Sequence, residues 1–223
     1  FIKMQPLVKP AIKALEDGKI TFYPSAKRRE LIAYLEQLKD WNISRQIPWG
    51  IPIPAFVNEH DHSDWIFDTR VNEQKIVINN TTYIREEDTF DTWFSSGQWP
   101  YIVTDYLNDG ELAKYFPTSL METGMDIMRA WVARMIILSL YRTGELPFKD
   151  VYLHGMVNDE HNQKMSKSKG NVINPMELVA EFGSDATRMG IIAGRAPAQH
   201  QAFNKGSVIA ARNFCNKLWN IAR

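Results

Sequence analysis

Three lysines and two serines lie within six consecutive positions, 164–169. No apolar periodicity runs through this stretch, so it is not predicted to be a core strand or helix. Gly170 and Asn171 follow it, and Pro175 indicates the first turn of a helix. Ammonium and hydroxyl donors on a loop suit a triphosphate, whose charge must be neutralised as a leaving group departs. A solvated basic loop is the alternative that these residues alone leave open.

A second group of candidate residues precedes the lysines. A short strand is predicted to end at Gly124, Asp126 follows, and Ile127, Trp131 and Met135 then repeat at helical spacing. Such a crossover turns the loop at the carboxyl end of the strand towards a ligand. Gly124 allows close backbone approach, and Asp126 can accept hydrogen bonds from a ribose hydroxyl or an ammonium group. A helix N-cap is the alternative for Asp126, and a core position is the alternative for Trp131.

Two further candidates lie in segments that also have structural explanations. The apolar run over residues 151–157 predicts a buried parallel strand, with His154 at its ligand-facing end. A histidine at such a place is most often structural when judged alone. Trp93 lies in residues 88–100, a segment rich in aromatic and hydroxyl side chains that is predicted to run from a strand into a turn. A buried aromatic cluster is the alternative there.

The remaining elements must position these groups. Residues 1–40 are predicted to be amphipathic and helical, with a break at Gly18 and a turn at residues 23–25. Three prolines exclude regular helix from residues 41–56. Residues 57–90 are polar and turn-rich, with a β-type run at residues 75–78. Beyond Pro175 we predict three helices, over residues 175–182, 185–194 and 204–223.

Composition limits the function classes. The chain has 26 basic and 26 acidic residues, so its net charge of zero gives nucleic-acid binding no support beyond local patches. No apolar run is long enough to span a membrane, and no signal peptide is recognisable. Cys215 is the single cysteine, which excludes an internal disulfide framework and a cysteine-based zinc site and fits a reducing cytosol.

One polar stretch, which contains His60, Asp61, His62 and Asp64, could suggest a metal site. The stretch has the composition of a loop and lacks a spaced pair of partner ligands elsewhere. We therefore predict no metal site in this chain.

The order of residues in the lysine loop resembles a known family. Lys164-Met165-Ser166-Lys167-Ser168 is similar to the signature that class I aminoacyl-tRNA synthetases carry after the second half of their nucleotide-binding fold. Residues 43–46 with 49–52 resemble the stretch where the valine, isoleucine and leucine members return from their editing insertion. Asp91-Thr92-Trp93-Phe94-Ser95-Ser96 resembles the valine members, and Ile127 stands where the isoleucine members have glutamine. The resemblance spans nearly the whole chain and is weakest at residues 57–90.

The resemblance implies an α/β fold. We expect the second half of a Rossmann-like parallel-sheet nucleotide-binding domain, followed by α-helices of a tRNA-binding region. The implied divisions are a return from the editing insertion (1–56), a polar connective insertion (57–90), the catalytic half with the signature loop (91–182), and a stem-contact region with the first helix of the anticodon-binding bundle (183–223). The family's His-x-Gly-His signature and editing domain are absent, so the chain is expected to be one section of a longer enzyme.

The implied activity is ATP-dependent activation of valine to valyl-adenylate and transfer of valine to tRNA(Val). Lys164 and Lys167 would be catalytic. The ATP- and adenylate-binding residues would be Lys167, Ser166, Ser168, Gly124, Asp126, His154, Gly155, Met156 and Val157, and the amino-acid pocket would contain Trp93, Ile127 and Trp131. ATP is expected with Mg²⁺, and no zinc site is supported. The expected partners are valine, ATP and tRNA(Val), without a membrane, in a monomeric cytoplasmic enzyme.

Two rival functions remain at this point. One is a section of an isoleucine enzyme, against which Ile127 and residues 91–96 argue. The other is a non-catalytic nucleotide- or RNA-binding module, which would keep its binding when Lys164 and Lys167 are replaced.

Overall fold

The computed structural model describes residues 1–223. The helices are α1 (Gln5–Glu16), α2 (Ala26–Glu36), α3 (Thr92–Ser96), α4 (Trp99–Val103), α5 (Ala133–Thr143), α6 (Pro175–Phe182), α7 (Ser184–Ile192) and α8 (Lys205–Ala222). The strands are β1 (Thr21–Tyr23), β2 (Ser44–Arg45), β3 (Ala55–Asn58), β4 (Trp65–Phe67), β5 (Lys75–Ile78), β6 (Thr81–Arg85), β7 (Thr89–Phe90), β8 (Thr118–Gly124), β9 (Phe148–His154), β10 (Val157–Asn158) and β11 (Gln201–Ala202). None of the helices is long and apolar enough to cross a membrane.

The chain divides into two compact units. The first contains residues 1–20, 28–119 and 129–149, and the second contains residues 21–27, 120–128 and 150–223. The predicted helices after Pro175 and the strand ending at Gly124 are present, whereas the strand predicted to run to residue 157 ends at His154, and residues 157–158 belong to the separate strand β10. The α/β fold class is therefore confirmed, whereas the domain divisions at 56, 90 and 182 stay a prediction.

An antiparallel sheet of four strands forms part of the first unit, in the order β4-β3-β6-β5. The predicted β run at 75–78 is strand β5, and a two-residue turn joins it to β6. Asn79 and Asn80 have φ values of 49° and 64°. Both values lie in the left-handed region that tight hairpins need. The core of the sheet contains Phe56, Ile76 and Tyr83, which come from β3, β5 and β6 respectively.

Helices α1 and α5 pack together in the same unit. Val8 and Leu15 of α1 and Ile136 of α5 are at most 1% exposed. Each such side chain contributes about 1.5–3 kcal/mol by leaving water. Helix α5 ends where Gly144 adopts a φ of 76°. This left-handed cap is a position for which glycine is the favoured residue. The packing fixes the helix that directly follows the turns carrying candidate site residues.

In the second unit, β1, β9 and β8 form a sheet in that order, and β1 is parallel to β9. Helices α6, α7 and α8 form a separate small core of Leu178, Phe182, Ala186 and Val208. Gly190 of α7 lies directly against Val208 of α8. A Cβ on Gly190 would lie 2.7 Å from the Cα of Val208.

Three sequence predictions need correction. Residues 1–40 are not helical throughout, because Thr21–Tyr23 pair with β9, a partner in a distant part of the chain. A three-residue strand is too short to show alternation. Residues 92–96 are helical rather than a turn, because Asp91 caps the peptide N–H of Trp93. A regular helix does not run from Ile127: a 3₁₀ turn over Met125–Ile127 and a π turn over Met128–Val132 precede α5.

Candidate functional site

The ends of strands β8 and β9 bring three predicted site residues together. Gly124 ends β8 and His154 ends β9. A Cβ at Gly124 would lie 2.7 Å from Asp126 Oδ1 and 3.4 Å from His154 Nε2. Any side chain at this position would therefore displace the Asp126 carboxylate, and glycine keeps the space in front of both strands open.

His154 has a partner that the sequence analysis missed. Its Nδ1 is hydrogen-bonded to Oε1 of Glu122, and the two side chains are 48% and 52% exposed. With the proton on Nδ1, this bond leaves Nε2 as an acceptor on the side of Gly124. Glu122 lies two positions before Gly124 in β8, so the period of two in a strand places both residues on one face. That alternation is the feature of the sequence that could have identified Glu122 as a candidate residue.

A largely apolar cavity of about 550 Å³ adjoins these strand ends in the second unit. Its volume lies within the range of small-molecule sites. It is lined partly by four predicted residues, His154, Gly155, Met156 and Val157, and partly by Ile191, Ile192 and Arg195, which the sequence analysis did not include.

Gly155 is required by a close backbone approach at this cavity. A Cβ on Gly155 would collide with the carbonyl of Gln199 and the peptide nitrogen of His200. The peptide N–H of Met156 donates to Nδ1 of His200 over 3.1 Å. The chain around residue 199 therefore lies directly on residues 155–156.

The signature loop contains an ion pair with the strand ends. Lys164 Nζ lies 3.8 Å from Asp126 Oδ2, and their side chains are 69% and 42% exposed. The Oγ atoms of Ser166 and Ser168 lie 3.2 Å apart. Lys167 begins an exposed 3₁₀ turn over Lys167–Lys169. Lysine and serine donors thus lie together on one short turn, the arrangement that suits a polyanion.

The base of the loop is held by Asp159 and Asn171. Oδ1 of Asp159 accepts from the peptide N–H groups of His161 and Gln163, and Oδ2 accepts from Nδ2 of Asn171 over 2.7 Å. The hydrogen bond from Asn171 is the largest cause that lowers the pKa of Asp159, and the peptide N–H of Gln163 adds to it. Oδ1 of Asn171 accepts from the peptide N–H of Ser166 over 2.9 Å.

The three predicted pocket residues do not share one unit. Trp93 on α3 and Trp131 in the π turn belong to the first unit, and both are half-buried. Trp131 Nε1 donates to the carbonyl of Ser96 over 2.9 Å, which ties the π turn to the end of α3. Ile127 belongs to the second unit. Their joint role in a pocket stays a prediction.

The polar stretch that could suggest a metal site has other hydrogen bonds. Asp64 accepts from Asn58 Nδ2 over 3.0 Å and from the hydroxyl of Tyr83 over 2.8 Å, and Asp61 accepts from Ser63. Within residues 1–223, no group of three or more histidine, cysteine or carboxylate side chains is placed to hold a metal ion.

Curated relatives match the entire chain but only part of their own length. The valine–tRNA ligase of Clostridium acetobutylicum is 40% identical over 100% of this chain and 25% of that protein. The valine–tRNA ligase of Gluconobacter oxydans is 42% identical over 96% of this chain and 24% of that protein. This chain therefore spans about a quarter of the length of the relatives it matches.

Solved structures share the fold at low sequence identity. A ternary complex of an Agrobacterium radiobacter K84 LeuRS with tRNA and LeuAMS matches 88% of this chain and 30% of its own, with a TM-score of 0.69 and 24% identity. Mycobacterium tuberculosis methionyl-tRNA synthetase in complex with methionyl-adenylate matches 94% of this chain and 36% of its own, with a TM-score of 0.69 and 22% identity. The model of the family described as "tRNA synthetases class I (I, L, M and V)" matches residues 1–202. The chain belongs to the class I tRNA synthetases of the isoleucine, leucine, methionine and valine group.

Proposed function

We propose that these residues carry the ATP-phosphate site of an enzyme that activates valine to valyl-adenylate and transfers it to tRNA(Val). The observation that carries the proposal is the position of the signature loop, whose Lys164 lies 3.8 Å from Asp126 at the end of β8. The proposed adenosine-side residues Gly124 and His154 lie beside that carboxylate. Names of the curated relatives support valine as the amino acid.

The proposed chemistry requires no side-chain nucleophile. A carboxylate oxygen of valine attacks the α-phosphorus of ATP and forms an O–P bond, while the bond from the α-phosphorus to the oxygen bridging to the β-phosphate breaks and releases pyrophosphate. Negative charge accumulates on the departing pyrophosphate, and Lys164 and Lys167 would stabilise it there. Ser166 and Ser168 would donate hydrogen bonds to phosphate oxygens. Catalysis is then positioning and charge stabilisation.

Adenosine would occupy the region at the strand ends. Asp126 can accept hydrogen bonds from ribose hydroxyls, and Gly124 lets the nucleotide approach the backbone. The cavity beside Gly155, Met156 and Val157 is large enough for an adenine ring. Mg²⁺ usually binds through substrate phosphates and keeps several waters, so it would enter with ATP and needs no cage of protein ligands.

Trp93, Trp131 and Ile127 would shape the pocket for valine. A small branched side chain gains affinity mainly from contact area, which aromatic and aliphatic walls supply. We assign residues 1–56, 57–90, 91–182 and 183–223 to the divisions that the family resemblance implies, with tRNA contacts in the last. We propose a cytoplasmic location, which the single Cys215 and the ATP and tRNA substrates favour, and a monomeric full-length enzyme, which rests on the family resemblance alone.

The test is amino-acid-dependent ATP–pyrophosphate exchange by the full-length protein that contains these residues. Wild type, Lys167→Ala and Lys169→Ala are compared with valine, isoleucine and threonine. We expect the strongest exchange with valine and a loss of roughly 100-fold for Lys167→Ala, the effect typical of a lost transition-state donor. Lys169→Ala removes the same charge from the same turn but lies outside the signature, and should cost less than about tenfold.

Two results would contradict the proposal. Preference for isoleucine would favour the isoleucine enzyme. Absence of exchange with every amino acid, together with nucleotide or RNA binding that survives replacement of Lys164 and Lys167, would favour a binding module.

A further inference from the structure

A pair of side chains, Asp159 and Asn171, closes the base of the signature loop; we call this pair the loop latch. Asp159 is buried, and Asn171 lies twelve positions later, where the chain leaves the loop. The bond between them, 2.7 Å from Asn171 Nδ2 to Asp159 Oδ2, joins the two ends of the segment that carries all three lysines.

Each side chain of the latch also holds backbone of the loop. Asp159 accepts from the peptide N–H of Gln163, immediately before the signature, over 2.7 Å. Asn171 accepts from the peptide N–H of Ser166 over 2.9 Å and donates to the carbonyl of Lys164 over 3.3 Å. The latch therefore contacts the backbone of Lys164 itself, of Gln163 before it, and of Ser166, which directly precedes Lys167.

We propose that Asp159 and Asn171 are positioning residues that hold the signature lysines ready for the ATP phosphates. The inference rests on the proposed function, since it concerns the same reaction. Lys167 and Lys169 are exposed and their turn ends at Gly170, which has a φ of 68°, so the tip of the loop depends on its base for orientation. A lysine that must meet a developing charge loses effectiveness when its backbone is free to move.

The hydrogen-bond directions give a rescue test. In Asn171→Asp a carboxylate oxygen faces that of Asp159, and the two repel. In Asp159→Asn the new amide N–H₂ faces the N–H₂ of Asn171, so two donors meet without an acceptor. The exchanged pair, Asp159→Asn with Asn171→Asp, restores donor and acceptor. It keeps the bonds from Gln163 and Ser166, but the 3.3 Å contact with the carbonyl of Lys164 becomes one between two acceptor oxygens, so recovery should be incomplete.

The first measurement is pyrophosphate exchange with valine in the full-length protein. Each single variant should lower kcat/KM roughly ten- to a hundredfold, the range for loss of a hydrogen bond to a charged group. We expect kcat to fall and KM for ATP to rise, while KM for valine stays unchanged. A general loss of folded protein would lower the apparent kcat but change neither KM, so the rise in KM for ATP separates the two explanations. The exchanged pair should recover to within about fivefold of wild type. Asn204→Asp is the matched control, since Asn204 caps α8 by accepting from Gly206 and aspartate caps equally well.

The second measurement is limited trypsin cleavage at the loop lysines without ligands. Cleavage should be several times faster in both single variants and return to the wild-type rate in the exchanged pair. Wild-type kcat/KM in the single variants, or failure of the exchanged pair to recover, would overturn the inference while leaving the proposed function intact. Absence of exchange in the wild type would instead refute the proposed function, and the positioning role with it; trypsin cleavage would still show whether the latch orders the loop.

Discussion

Asp91 is a buried carboxylate that three donors share where α3 begins. Arg45 Nη2 forms an ion pair with Oδ2, Trp41 Nε1 donates to the same oxygen over 3.3 Å, and the peptide N–H of Trp93 donates to Oδ1 over 2.7 Å. The side chain of Asp91 is 7% exposed and that of Arg45 is 39% exposed. We predict that replacing this carboxylate loosens the start of α3 and with it the Trp93 side chain.

Two substitutions separate the contribution of the bonds from Arg45 and Trp41 from that of the helix cap. Asp91→Asn keeps an oxygen for the N–H of Trp93, but its amide N–H₂ then faces the donors of Arg45 and Trp41. A hydrogen bond to a charged group contributes about 1.5–3 kcal/mol, and the exposure of Arg45 places this one in the lower half of that range. We expect Asp91→Asn to lower the free energy of unfolding by about 2 kcal/mol. Asp91→Ala also loses the cap, about 1 kcal/mol more, and should cost about 3 kcal/mol.

The assay is urea unfolding of the full-length protein, followed by its total tryptophan fluorescence, together with KM for valine. KM should rise in the same order, with Ala above Asn, because α3 carries a proposed pocket residue. Asp109→Asn makes the same chemical change at an exposed position. This control should stay within about 0.5 kcal/mol of wild type, as surface substitutions usually do. Equal stability of Asp91→Asn and this control, or a larger loss for Asn than for Ala, would refute the reasoning.

Two predictions concern the walls of the second unit's cavity. Gly155→Ala adds a methyl group against facing backbone, which cannot move away by changing a rotamer. We therefore expect the free energy of unfolding in urea to fall by about 2–3 kcal/mol, and the affinity for ATP in equilibrium dialysis to weaken. Unchanged values would contradict the close approach. Glu122→Gln keeps the shape but removes the charge beside His154, and KM for ATP should rise roughly three- to tenfold in pyrophosphate exchange. An unchanged KM in that variant would show that Glu122 does not act through His154.

Helices and the signature loop could be predicted where their signals lie within a few consecutive residues. Helix α6 begins at Pro175 because Asn174 accepts from the N–H of Met176, a cap that can be predicted from adjacent residues. Helix α8 follows from its apolar spacing, and the apolar run from residue 151 indicated strand β9 but not its end at His154. The signature loop was recognisable because its chemistry lies within five consecutive residues.

Features formed between distant segments could not be predicted in this way. Strand β1 exists because of its pairing with β9, and its three residues carry no pattern of their own. Glu122 and His154 are 32 positions apart, so their hydrogen bond required knowledge that β8 and β9 end side by side. The π turn before α5 contains Trp131, whose side chain is tied to Ser96, a partner that helical periodicity does not reveal.

The carboxylates around the signature loop differ in how firmly they are held, and this difference decides which can exchange partners. Asp126 has an exposed ion pair with Lys164 at 3.8 Å. Exposed pairs of this kind are worth about 0–1 kcal/mol. Asp159 is buried and accepts three hydrogen bonds. Each has a charged acceptor and is therefore stronger than a hydrogen bond between neutral groups. A polyanion can therefore draw Lys164 away from Asp126 at small cost, which also leaves that carboxylate open to hydroxyl donors. The same polyanion gains nothing by opening the base of the loop, so the lysines can change partners while the backbone that carries them stays in place.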